Sequence, residues 1–131
     1  MIGLDTNVIV RYVMQDDPKQ SPKASKLVES LTVEDPGFVS FIALIEFVWV
    51  LGSCYDLSRE QVDQAVEALL RTKELIVDRA DLVAQALRIR RAGSADFADC
   101  LIERCCSSAG CRQTMTFDKP ASKTTGMSLV P

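Results

Sequence analysis

Five acidic residues stand at four places where the sequence is otherwise apolar. Asp5 closes IGLD just before Thr6 and Asn7, Glu46 is the only charged residue in SFIALIEFVWVL, Asp96 and Asp99 are three apart in SADFADC, and Asp118 follows TMTF. A short carboxylate at the end of a strand can cap the next helix or ligate a hard cation, and for Asp5 and Asp118 both readings stand. Recurrence of the pattern favours the second. Glu46 is more telling, because burying an unpaired carboxylate costs several kcal/mol, so it needs a partner, a metal or a solvated cleft. Asp96 and Asp99 fall on neighbouring faces of a helix start, where the helix end favours their charge but each opposes the other unless water, a cation or a base offsets them. Glu103, four residues beyond Asp99, is placed outside the immediate site. Thr6 and Asn7 are positioned to orient the Asp5 carboxylate.

The elements that must present these acids alternate between strand and helix. IGLD forms a short buried strand, followed by a helix through Val8, Ile9 and Val13. Ser21 before Pro22 signals the start of a second helix, DPG at 35–37 a turn, and FVSF the next strand. IALIEFVWVLG is expected as a largely buried helix ending near Gly52, and Ser58 with Gln61 has the spacing of a capping box. ELIVD is a third strand, with Asp78 as cap of a helix from about Arg79 to Gly93. Ser94 then caps a helix through Phe97, Leu101, Ile102 and Cys105, TMTFD is a strand leading into a loop, and MSLV a short terminal strand. This order predicts an α/β chain: three layers, a largely parallel central sheet, helices on both sides. Strand-end acids of a parallel sheet open into its ligand crevice.

With 131 residues, 47% of them hydrophobic and 25% charged, the chain is expected to be a single globular domain over 1–131. The formal net charge of -3 supplies no global basic field for nucleic acid and leaves only a local basic rim. Five cysteines and no histidine point to reduced thiols rather than a disulfide framework, and their spacing is not that of a zinc site. The longest apolar run contains Glu46 and falls short of the roughly 20 residues that span a bilayer. With no signal-like leader, a cytoplasmic protein without membrane association is expected.

Taken together, LDTNVIVRYV at 4–13, the helix around IALIEFVWVL, GSADFADCLI at 93–102 and TFDK at 116–119 occur in an order that resembles a PIN-domain ribonuclease, specifically a VapC-like toxin of a toxin-antitoxin pair. The likeness covers essentially the whole chain. It implies an endoribonuclease that depends on Mg²⁺ or Mn²⁺, acts on RNA, forms a homodimer and is neutralised by a cognate VapB-like antitoxin. It assigns Asp5, Glu46 and Asp99 to the main acidic set, with Asp118 as the fourth position and Asp96 binding metal directly or through water. Thr6 and Asn7 support Asp5, and Thr116 orients the terminal acidic loop.

Two alternatives remain at this stage. A phosphatase resembling the haloacid dehalogenase superfamily would also place an acid after an apolar strand, but its DxD pattern is broken by Asn7. A catalytically inactive PIN-fold interaction module is the other. Arg88, Arg90 and Arg91 read as a solvated helix end or a phosphate-facing rim, and Arg11, Lys73, Arg104, Arg112 and Lys119 are further basic candidates. Phe41, Phe47 and Trp49 are expected in the core or at a dimer surface rather than as base-stacking platforms.

Overall fold

The computed structural model describes residues 1–131, which divide into two compact units, Met1–Ala80 and Asp81–Pro131. In the first unit the strands β1 (Ile2–Gly3), β2 (Gly37–Val39) and β3 (Leu75–Val77) form a parallel sheet in the order β1-β2-β3. β2 is therefore the central strand. Its Gly37 is hemmed in, since a Cβ there would lie 2.8 to 2.9 Å from methyl carbons of Leu31, Leu4 and Leu75. The missing side chain leaves room for the ends of three leucines, which a larger residue would force to move.

Because the strands are parallel, all three deliver the chain to the same edge, at Asp5, Ser40 and Asp78. Each of these residues supports a helix start. Asp5 is the N-cap of α1 (Thr6–Met14), accepting from the Thr6 N–H at 2.8 Å. Ser40 is extended and its hydroxyl accepts from Ala43 N–H at 3.1 Å, so α3 (Phe41–Ser53) begins where FVSF was expected to continue as strand. Asp78 does not cap its own helix; its carboxylate accepts from the Phe41 N–H at 3.4 Å. Arg79, with a φ of 52°, then turns the chain.

Between β1 and β2, α2 (Gln20–Glu29) starts earlier than the Ser21–Pro22 signal implied. Asp17 supplies the capping, accepting from the N–H groups of Gln20 at 2.7 Å and Lys19 at 2.9 Å. Proline follows that aspartate directly at Pro18, so the Asp–Pro pair one turn upstream is the effective start signal. Ser21 is instead buried, its hydroxyl accepting from the Asp17 N–H. After α3, the capping box of Ser58 and Gln61 forms as expected and opens α4 (Arg59–Arg71).

α3 is not largely buried. Ala43, Leu44, Phe47 and Leu51 are, whereas Ile42 is 79% and Trp49 63% exposed. The split follows the helical period, with Ile42, Ile45, Glu46 and Trp49 on the open side. Complete burial of a side chain such as Phe47 contributes about 1.5–3 kcal/mol. Phe41 lies half-buried, with the Arg79 guanidinium 5.7 Å from its ring centre.

The second unit contains most of α5 (Ala80–Ala92), then α6 (Phe97–Ser108), β4 (Met115–Thr116), α7 (Lys119–Thr124) and β5 (Ser128–Leu129), with β4 and β5 parallel. Asp96, not Ser94, occupies the N-cap of α6. The loop expected after β4 contains the short helix α7, capped by Asp118 and carrying Pro120 in its first turn. Phe97, Cys100 and Leu101 are buried along α6, and the Arg90 guanidinium lies 5.8 Å from the Phe97 ring centre. No disulfide joins any of the five cysteines.

Candidate active site

The sheet edge of the first unit positions two of the acids. Asp5 leaves β1 exposed, one carboxylate oxygen engaged by the Thr6 N–H. Glu46 comes from the open face of α3, and the two line one cleft of about 290 Å³ together with Thr6, Asn7, Arg11 and Tyr55. The requirement that Glu46 have a partner, metal or solvated cleft is met by the last. Thr6 supports Asp5 through its backbone N–H, its side chain being buried. Asn7 lies exposed in the cleft without a hydrogen bond to Asp5.

Three acids belong to the second unit. Asp96 has the extended backbone of an N-cap, yet its side chain makes no capping bond. Asp99 sits in the first turn of the same helix, half-buried. Burial, and then the charges of Asp96 and Asp118, push its carboxyl above the usual aspartate range. Asp118 accepts from the Ala121 N–H at 3.1 Å, and its own N–H donates to Thr116 Oγ1 at 3.0 Å. Asp118 is therefore both a helix cap and a charge felt by Asp99. Glu103 is committed elsewhere, pairing through both oxygens with Arg104 at 2.6 and 2.9 Å. That pair also removes Arg104 from the list of open basic candidates.

Sequence reasoning overlooked how Arg11 is held. Its Nε donates to Gln20 Oε1 at 2.9 Å and its Nη1 to Tyr55 OH at 2.7 Å, while the Tyr55 hydroxyl donates to Asp16 at 2.8 Å. Tyr55 is 44 residues from Arg11 in the chain, so no local pattern announces the contact. That donation to Asp16, followed by burial, raises the Tyr55 pKa and keeps the phenol protonated.

One comparison decides the family. The PIN-domain model matches residues 2–126. The chain belongs to the PIN-domain family. This PIN domain has the family's three-layer α/β fold, a parallel sheet flanked by helices, and its membership supports a general nuclease-type role. No curated protein matches the sequence.

The donor chemistry of the PIN domain's acids suits a hard cation such as Mg²⁺ or Mn²⁺, since every candidate ligand is a carboxylate oxygen. Burial and then repulsion raise Asp99, and the repulsion is what a bound cation would relieve. No group of three or more Cys, Asp or Glu side chains is drawn together tightly enough to form a metal shell by itself. The fit is thus one of ligand type and local field.

Proposed function

We propose that this PIN domain is a metal-dependent endoribonuclease, the VapC-like toxin of a type II toxin-antitoxin pair, hydrolysing internal RNA phosphodiester bonds. The observation that carries the reading is the open cleft in which strand-end Asp5 meets Glu46, a lone acid on an otherwise apolar helix. The five acids are assigned to one catalytic set: Asp5, Glu46, Asp99 and Asp118 as its main members, and Asp96 completing it. The family match covers the segments that carry all five, residues 2–126.

These carboxylates would hold Mg²⁺ or Mn²⁺, which when bound supplies positive charge and Lewis acidity for phosphate hydrolysis. The Thr6 N–H fixes one Asp5 oxygen, and Thr116 fixes the backbone that carries Asp118. The acids orient the attacking water by accepting its hydrogens. No histidine or covalent intermediate is required. A single domain over 1–131, acting as a cytoplasmic homodimer restrained by a VapB-like antitoxin, completes the proposal. Loss of the DxD pattern at Asn7 and the family match together argue against the phosphatase.

The test is to map new RNA ends produced by the wild-type chain and by Asp99→Asn, with Mg²⁺ or Mn²⁺ and with chelator. Internal cuts that need the metal and fall at least about a hundredfold in the variant are expected, the usual scale for loss of a group acting in the transition state. A wild type that leaves RNA intact with either metal overturns the nuclease and leaves the interaction module.

A further inference from the structure

Arg11 shares its cleft with Asp5 and Glu46 and forms an ion pair with neither. The guanidinium is held by three separate parts of the first unit. Gln20 at the start of α2 takes Nε, Tyr55 beyond α3 takes Nη1, and Asp16 in the loop after α1 lies 3.3 Å from Nη1. Tyr55 in turn donates to Asp16. These bonds lock the plane of the fork and leave Nη2 without a hydrogen bond. The side chain stays 29% exposed.

The arrangement keeps opposite charges apart inside one cavity. The guanidinium is ion-paired with Asp16 and not with Asp5 or Glu46, so its anchoring contacts lie outside the acidic pair of the cleft. From Asp5 to Arg11 is six residues of helix, or about 9 Å along its axis. A ligand with negative charge repeated along an extended backbone would set one charge at the acids and the next at the arginine, since all three line one cleft. Planar N–H pairs of arginine are well matched to phosphate oxygens.

We propose that Arg11, pre-oriented by Tyr55, Asp16 and Gln20, is a phosphate-binding residue of this cleft, gripping the RNA phosphodiester next to the one presented to the acids. The assignment rests on the nuclease reading for its substrate, and equilibrium binding tests it apart from turnover. Tyr55 acts as a positioning residue, setting the fork through its hydroxyl.

The probe is a short, randomised, fluorophore-labelled single-stranded RNA, titrated against the full chain carrying Asp99→Asn at several KCl concentrations. Adding Arg11→Gln is expected to weaken binding about ten- to hundredfold, as for loss of a charge-assisted hydrogen bond. The slope of log affinity against log salt should become shallower by about 0.7, the value for one phosphate contact on a single strand. Tyr55→Phe retains the charge but loosens the fork, so binding should weaken by several-fold with the slope unchanged. It also serves as the second variant should Arg11→Gln not fold. In the cleavage-competent chain, Arg11→Gln should raise KM and leave kcat nearly unchanged.

Cleavage by the wild type, combined with RNA affinity and salt slope indifferent to both substitutions, overturns the phosphate grip and leaves the nuclease standing. Arg11-dependent RNA binding without cleavage does the reverse. Failure of the Asp99→Asn chain to bind RNA, with cleavage by the wild type intact, likewise overturns the grip alone.

Discussion

Asp99 is the candidate acid that burial and neighbouring charge set apart. Its carboxyl is pushed up by burial, then by Asp96 and Asp118, so ionising it costs more in the folded chain than in the unfolded one. The folded chain holds this proton to higher pH, and stability contributed by the group falls as pH rises from about 3.9, the ordinary aspartate value, through the raised one. Without divalent metal, Asp99→Asn should therefore be more stable than the wild type at neutral pH in urea melts, the gain vanishing below the aspartate range. Equal stability at both pH values would show that the repulsion carries no cost. The variant that loses cleavage would then gain stability, the pattern expected of an acid kept for chemistry. This candidate was legible because carboxylates contrast sharply with the apolar runs SFIALIEFVWVL and SADFADC. Whether Asp5 and Asp118 cap helices or serve a site was not, and the structure shows capping bonds at both. A carboxylate has two oxygens, so the bonds leave each acid able to do more.

Elements were legible where their signals are local. Ser58 and Gln61 lie within one helical turn, and their reciprocal bonds form as the spacing predicted. α2 was misplaced because two residue pairs, Asp17–Pro18 and Ser21–Pro22, send the same message, and the sequence does not show which hydroxyl or carboxylate ends buried. α7 was missed because a helix of 6 residues is too short to show a period. The Asp17 cap makes a pH prediction. N–H donation from Gln20, then Lys19, lowers its pKa, so the stability it contributes is present above the ordinary aspartate value and is lost as pH falls through the lowered one. Asp17→Ala should melt earlier at neutral pH and converge with the wild type in acid, while Asp17→Asn, still an acceptor, should lose less. A constant gap between Ala and wild type across that range would remove the charge from the explanation.

At the scale of the whole chain, alternation of strands and helices made the α/β class readable, and the parallel pairings of β1, β2, β3 and of β4 with β5 agree. The division at Ala80 was invisible, since no proline- or glycine-rich linker marks it and α5 runs across it. Tyr55 and Arg11 were equally hidden, because only tertiary structure brings them together. If the acids hold a cation as proposed, metal at a hundredfold its Kd should stabilise the chain by about 2.7 kcal/mol, a rise of a few degrees in Tm that chelator reverses. A melting curve indifferent to Mg²⁺ and Mn²⁺ in the wild type would exclude such a site.

The parallel sheet also sets a timetable. Ile2 must find Gly37, and Gly37 must find Leu75, before the central strand is paired on both sides. Such distant pairings close large loops and slow folding relative to local helix formation. Asp5 is synthesised well before Leu75, but the edge it belongs to is complete only when β3 has emerged. A ribosome making this chain would be some way through it before the cleft existed.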